Sequence, residues 1–437
     1  MKYNKIKDFN INISIVLKCG QSFRWMHNST TNEFSLALND RTIILKQDNV
    51  KELDFRSIPS NFDSDKSFIH DYFQLDTRII DLYDDWSARD RHFKSIKDTN
   101  KFDGILILRQ DPWECLISFI CSSNNNIARI SQMITKLSTT FSEPLGDLDE
   151  IYSRYPFPPP SKLAGEDVED TLRTLGFGYR AKYVANVAKM LVEEHGSDEN
   201  IFTYLHSLRK ESYENVIPQL TRMMGVGPKV ADCVALMSLD QHSSIPVDTH
   251  VWQIAVRDYG FLKSPYVKSC KGKVSQSSAM SPSIYAAVGK MFRDLWGPYA
   301  GWAHTVLFAA DLKAFKEESP SVKDENDVVP GVVTSVVSPE KKTNVRPKRV
   351  VDSVKKEPSK GVSESNKKEP SKRAAESVRK EPSKRIAKST KKEPQTTDSR
   401  ESSLSPPPPI EKPRRTSTRN RKKKKVVFSK DSDSEID

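Results

Sequence analysis

The chain changes character after Phe315. Residues 316–437 contain one aromatic side chain, Phe428, and are dominated by Lys, Glu, Ser and Pro. A segment of that composition cannot bury enough apolar surface to offset the entropy of ordering its backbone, so it is expected to be disordered. Within it Lys-Glu-Pro recurs at 356–358, 368–370, 380–382 and 392–394, a twelve-residue period. These repeats lack the apolar positions that solenoid units need for stacking, and they read as a low-complexity array. Any fold must therefore be built from residues 1–315.

The same boundary divides the charge. Of the formal net charge of +11, residues 316–437 supply the whole excess, with 32 Lys+Arg against 20 Asp+Glu, which leaves 37 against 38 for the rest. A basic surplus favours a polyanionic partner, nucleic acid before anionic membrane. Because residues 1–315 are nearly neutral, any DNA affinity there must come from a local patch. Lys412 to Lys425 is dense in Arg and Lys, which reads as a nuclear address and a non-specific DNA tether. The tail's other partners stay open.

The five cysteines, Cys19, Cys115, Cys121, Cys233 and Cys270, are odd in number and scattered, with no CxxC pair. That argues against a secreted disulfide framework, a structural zinc or a four-cysteine iron–sulfur cluster. No apolar run is long enough to span a bilayer, and Met1 to Lys18 lacks a signal-peptide core. The expected compartment is the nucleus, with a mitochondrial pool left open. The expected state is a monomer with no membrane partner.

Three segments follow from periodicity: a β-rich region over 1–102, a helical region over 103–315 and the tail over 316–437. Phe34 to Leu38 and Thr42 to Leu45, joined by Asn39-Asp40-Arg41, predict a hairpin. Asp111-Pro112 predicts a helix start, an acceptor followed by a proline at the first helical position. Further helices are predicted over Lys182–Glu194, Tyr213–Arg222, Lys229–Leu239, His250–Tyr259, Tyr285–Trp296 and Gly301–Phe315. The expected fold class is α+β, an N-terminal antiparallel β-domain beside a helical region.

The chemistry concentrates in Met224-Gly225-Val226-Gly227-Pro228-Lys229. Gly225 and Gly227 allow a tight turn between helices, Pro228 suits a helix start, and free amides there can hold a phosphate. Helix, hairpin and helix form a sequence-neutral clamp for a DNA backbone, although the same turn also serves purely structural ends. Lys229 is ordinarily a solvated or phosphate-binding lysine. Its alternative role is a nucleophilic amine, which requires the unprotonated form. Asp248, in Pro246-Val247-Asp248-Thr249-His250, is ordinarily a helix cap. A capping carboxylate can also stabilise the oxocarbenium character that builds as a glycosidic bond breaks.

The hairpin with Lys229, followed by Pro246-Val247-Asp248, resembles the helix-hairpin-helix superfamily of DNA glycosylases. Longer strings sharpen this: Gly20-Gln21-Ser22-Phe23-Arg24-Trp25, Phe119 to Arg129, Gly178-Tyr179-Arg180-Ala181 and Trp296 to Ala303. Together they look like eukaryotic 8-oxoguanine DNA glycosylases over residues 1–315. The resemblance implies that Lys229 is the Schiff-base lysine and Asp248 the catalytic aspartate. It implies that the Gly20 carbonyl accepts from N7–H of 8-oxoguanine, a position where guanine offers a lone pair. Cys233 and Phe308 would sandwich the extrahelical base, with Pro246 also lining its site. Asn124, Arg129, Tyr179 and Arg180 would fill the vacated stack and read the orphaned cytosine, and His250 would contact phosphate. Each has an ordinary reading as well: core for Cys233 and Phe308, a helix-ending loop for Asn124, surface ion pairs for the arginines.

The chain departs from the family at His304, where a glutamine is expected to read the Watson–Crick edge. An imidazole has a different shape and, unperturbed, gains charge near pH 6.5. The implied activity is excision of 8-oxoguanine opposite cytosine from double-stranded DNA, through a lysine Schiff base, with strand cleavage by β-elimination. No metal or cofactor is expected. A monofunctional glycosylase for alkylated bases would not need Lys229. An endonuclease-III-like enzyme would usually carry a C-terminal cysteine cluster. A non-catalytic architectural protein would have no reason to place both Lys229 and Asp248.

Overall fold

Strands dominate the first sixty residues, where alternation and β-branched residues favour them, with one helical turn at Ile13–Val16. The computed structural model describes residues 2–146 and 149–316. The readings made on the Lys-Glu-Pro array and the Lys412–Lys425 cluster concern residues outside that range. Five strands, β1 (Asn4–Lys7), β2 (Met26–Asn28), β3 (Glu33–Ala37), β4 (Thr42–Lys46) and β5 (Glu52–Ile58), form one sheet in the order β1-β5-β4-β3-β2. All four pairings are antiparallel. The predicted hairpin is β3–β4, with Ala37 opposite Thr42 and its turn closed by Leu38 N–H donating to Arg41 O at 2.8 Å. Along β5 the buried residues are Leu53, Phe55 and Ser57, the period of two that a half-covered strand requires. The central strands β3 and β4 are buried almost throughout. The segment around Ser153 covers part of them, its hydroxyl accepting from Ala37 N and its carbonyl from the Thr42 hydroxyl.

The strands end at Ile58. Residues 62–97, placed in the β-rich segment from sequence, instead form α1 (Phe62–Tyr72), α2 (Ile79–Arg89) and α3 (Arg91–Lys97). The reason is local. Asn61 caps α1 by accepting from Ser64 N–H at 3.3 Å, and Asp90 caps α3. Ile69, Tyr72 and Phe73 are buried at helical spacing, as are Tyr83 and Trp86.

The helices of seven or more residues that follow among the described residues are α4 (Pro112–Cys121), α5 (Ile127–Phe141), α6 (Val168–Thr174), α7 (Arg180–His195), α8 (Asp198–Ser207), α9 (Tyr213–Thr221), α10 (Pro228–Ser238), α11 (Thr249–Arg257), α12 (Pro282–Trp296) and α13 (Ala300–Asp311). Asp111 caps α4 through Glu114 N–H at 2.9 Å, with Pro112 at the first position. The start of α12 lies three residues ahead of the one predicted, because Ser281 accepts from Ile284 N–H and Pro282 begins the helix before its apolar period is visible. No helix among the described residues is long and apolar enough to cross a membrane.

Sheet and helices share one contiguous apolar core. The stretch Gln21 to Trp25 ties them together. Gln21 donates to Leu106 O at 2.8 Å, accepts from Leu108 N at 3.0 Å and offers its own carbonyl to Gln110 Nε2 at 2.9 Å. Arg24 forms a two-pronged pair with Glu114 on α4, at 3.0 and 2.6 Å, and also donates to Ala37 O on β3. Phe23 packs edge-on against Phe119 at 5.6 Å between ring centres. These bonds hold Gly20, one residue upstream, against the helical region.

Candidate active site

The hairpin between α9 and α10 uses its two glycines differently. Gly225 has φ +86°, and a Cβ there would lie 2.5 Å from the Tyr183 ring on α7. Gly225 is therefore required by both conformation and packing. Gly227 has ordinary φ and open space where a Cβ would stand. Nothing in the folded chain requires a glycine at 227, so its bareness leaves room for another backbone to approach the start of α10.

Lys229 follows on the first turn of α10. Its half-buried amine donates to Ser122 Oγ at 3.3 Å and lies 5.2 Å from the centre of the Phe119 ring. One turn along, burial pushes the Cys233 thiol up to about 11, against the opposing pull of the Lys229 ammonium and its hydrogen bond. Cys233 is thus a neutral, buried thiol, suited to packing and not to nucleophilic attack.

Asp248 caps α11 with one oxygen, Oδ1, which accepts from His250 N–H at 2.9 Å and Val251 N–H at 3.0 Å. Oδ2 takes no part in the cap; it lies 4.0 Å from His250 Nδ1. The cap and the negative oxygen are one rigid unit.

The turn before Asp248 is fixed to α10 by a buried polar network. Asp232, 2% exposed, accepts from the Tyr213 hydroxyl at 2.8 Å and from the Tyr285 hydroxyl of α12. Val247 N–H points at the same Tyr285 hydroxyl at 3.4 Å. Burial pushes the Asp232 carboxyl above its ordinary range, and the two phenol donors pull it back. The sequence reading missed this triad, although a lone carboxylate on the apolar α10 was the available signal.

Gly301 docks α13 onto the same turn. Its N–H donates to His242 O at 2.9 Å, and a Cβ would stand 2.4 Å from Ser244 O. That close approach delivers His304 and Phe308. His304 is 6% exposed, and neither ring nitrogen has a hydrogen-bond partner. Burial drives its pKa down to about 4, opposed by the Asp248 charge and by the nearby Gly301 carbonyl, which is not placed for a well-formed hydrogen bond, and aided by the charge of Lys229. The expectation of a charge change near pH 6.5 is corrected by this burial. Phe308, half-buried, has its ring centre 6.2 Å from His304 and 5.7 Å from His250, which is exposed. Lys229, Cys233, Asp248 and His304 therefore share one electrostatic neighbourhood, with Phe308 and His250 at its edge. Pro246 is buried in the turn beside it. Gly20 has φ +90°, a conformation that favours glycine, and a Cβ there would press on the end of the Ile127 side chain at 2.9 Å.

A second cluster lies between α4 and α5. Asn125 donates to Cys121 O at 2.9 Å and Asn126 caps α5 through Arg129 N–H at 3.0 Å, so both serve the loop itself. Asn124 is exposed, with φ +49°. The arginines are not equivalent. Arg129 is exposed, with a long 3.5 Å contact to Gly176 O. Arg180 is 4% exposed and holds the loop from beneath, donating to Ser123 O at 3.0 Å and Asn124 O at 2.9 Å. It also lies 4.6 Å from the centre of the exposed Tyr179 ring. Among the described residues no group of His, Cys, Asp and Glu could hold a metal ion.

Comparisons with known proteins match the sequence and the fold of this region. The profile of the 8-oxoguanine DNA glycosylase N-terminal domain matches residues 4–116, and that of the HhH-GPD superfamily of base excision DNA repair proteins matches residues 117–274. An N-glycosylase/DNA lyase of Saccharomyces cerevisiae is 38% identical over 315 residues, covering 68% of this chain and 82% of its own. The N-glycosylase/DNA lyase OGG1 of Arabidopsis thaliana is 35% identical over 315 residues, covering 71% and 80%. A Clostridium acetobutylicum 8-oxoguanine glycosylase/lyase, solved with double-stranded DNA containing cytosine opposite 8-oxoG, is similar with a TM-score of 0.56 at 25% identity, over 71% of this chain and 97% of that one.

Proposed function

The chain belongs to the 8-oxoguanine DNA glycosylase family of N-glycosylase/DNA lyases, and from that premise we propose that it removes 8-oxoguanine paired with cytosine through a Schiff base on Lys229. The target nucleotide must leave the stack, since an amine at the mouth of α10 cannot reach C1′ inside a duplex. The unprotonated Lys229 amine then attacks C1′, its N–C1′ bond forming as the bond from C1′ to the base breaks, and the departing base takes up one proton released from that nitrogen. Opening of the sugar at the C1′–O4′ bond, with the nitrogen's second proton passing to O4′, gives the imine. Loss of a C2′ proton expels the 3′ phosphate and cuts the strand by β-elimination. Asp248 Oδ2, left over from the cap, stabilises the positive charge that builds on the sugar. His304 carries the reading furthest, because a buried imidazole with two unpartnered nitrogens is a polar group kept for a ligand.

Opposite-base choice tests the assignment. Exposed Arg129 is free to donate to the acceptors on the cytosine edge, whereas Arg180 is engaged with the loop. Arg129→Ala is expected to narrow the preference for cytosine by about tenfold, in line with the loss of one charge-assisted contact of about 1.5 kcal/mol. The measurement is excision of 8-oxoguanine opposite each of the four bases. An unchanged ranking and spread would remove Arg129 from this role.

His304 makes a second expected result. With its pKa near 4 it stays neutral at pH 7 and presents one donor and one acceptor to the base. Excision by wild type and His304→Gln should then differ in lesion preference at pH 7, while their pH profiles from 6 to 8 run parallel. Stability carries the titration instead. The unfolded histidine takes up a proton near pH 6.5 that the folded one refuses until about pH 4. Stability therefore falls as pH drops through that window, by up to about 3 kcal/mol, and His304→Gln removes this slope. Urea unfolding at pH 7 and pH 4.5 measures it, and equal slopes in both proteins would contradict the buried neutral imidazole.

A further inference from the structure

From Tyr259 to Arg293 the chain contains no acidic residue, while Lys263, Lys268, Lys271, Lys273, Lys290 and Arg293 fall inside it. In a region 1–315 that is otherwise balanced in charge, this is a local patch of one sign. Lys263, Lys268, Lys271 and Lys273 are all exposed, and among the described residues none of the four is in an ion pair. The acidic residues that flank the stretch are already taken, Asp258 by Arg257 at 2.6 Å, and Asp294 by Lys290 at 2.8 Å and the Tyr266 hydroxyl at 2.9 Å.

The loop is fastened to the active-site helix. Trp252, in the first turn of α11, donates from Nε1 to Gln276 O at 3.1 Å, and its ring lies edge-on to buried Phe261 at 5.5 Å. At the far side Lys271 N–H donates to Ser283 Oγ at 3.0 Å, and the Cys270 thiol approaches Ser283 O at 3.8 Å. Four free cations are thus strapped beside the helix whose first residues carry Asp248 and exposed His250. We propose that this loop is a phosphate-binding arm that grips the duplex backbone flanking the extrahelical nucleotide. The inference rests on the reading that the N-terminus of α11 faces DNA. Lysines on short 3-10 turns and the loop after them, with no exposed aromatic among residues 260–281, suit point contacts to phosphate and carry no base readout.

Each phosphate neutralised steepens the dependence of log binding on log salt by about 0.9. The full chain and a variant with K263Q, K268Q, K271Q and K273Q are compared for binding to an undamaged duplex by fluorescence anisotropy from 50 to 300 mM KCl. The variant's slope is expected to be shallower by about 2 to 3.5, the loss of two to four contacts. Arginine at all four positions should restore the wild-type slope. A slope within about 0.5 of wild type in the glutamine variant, or one equally shallow in the arginine variant, overturns the proposal. Because undamaged DNA is the probe, the result is read independently of whether 8-oxoguanine is the excised base, which borohydride trapping on a lesion duplex decides separately.

Discussion

Lys229→Gln is expected to abolish the borohydride-stable cross-link to DNA containing 8-oxoguanine, a loss of at least about a thousandfold in trapped product. Only an amine can form the imine, and the glutamine amide has no nucleophilic lone pair on nitrogen. The substitution keeps most of the side chain's length. It also leaves in place Gly225, packed on Tyr183, and the open approach at Gly227, so DNA binding should stay within a few-fold of wild type, because the hairpin offers main-chain amides and not this side chain. Ser122 Oγ and the Phe119 ring remain to receive the amide. Strand cleavage and trapping should disappear together, since both pass through the same covalent bond. Persistent cross-linking by the variant would mean that another amine is the nucleophile.

Much of this site was legible because its signals are local. Asp111-Pro112 and Asp248 announce helix starts by residue type alone, and each caps through its side chain. The β3–β4 hairpin follows from alternation around a polar turn. What stayed hidden depends on partners far along the chain. The Ser122–Lys229 contact spans 107 residues and the Asp232–Tyr285 bond 53, and no period encodes either. Gly225 and Gly227 look alike in sequence, yet only the first is demanded by a neighbouring ring. Arg129 and Arg180 likewise look alike, and tertiary burial separates an exposed side chain from a loop support. The helices of 62–97 fall in the segment read as β-rich because each turns few apolar residues inward, with Asp65 on the buried face of α1 beside Ile69 and Tyr72 and Phe93 alone on that of α3, so the apolar period is short. The His304 titration could not be foreseen, since it is set by burial beside Asp248 and Lys229 and not by the residue's own chemistry.

On the proposed mechanism Asp248 carries two duties, cap and anion, that a pair of substitutions separates. Asp248→Asn keeps an oxygen for the His250 and Val251 amides, and asparagine caps a helix about as well as aspartate. Its stability should stay within about 0.5 kcal/mol of wild type, whereas Asp248→Ala should lose about 1 kcal/mol. Excision should fall in both. The asparagine variant has no anion to face the sugar as the bond to the base breaks, and removal of a preorganised charge of this kind costs roughly 10² to 10³ in rate. The defect should be concentrated in base release. A preformed abasic site has no glycosidic bond left to break, so trapping of Lys229 on it should fall by no more than about tenfold in Asp248→Asn. Single-turnover excision, abasic-site trapping and urea unfolding on the three proteins give the comparison. If Asp248→Asn excises as fast as wild type while Asp248→Ala is only less stable, the carboxylate is a cap and nothing more, and the charge that stabilises the sugar must come from elsewhere in the site.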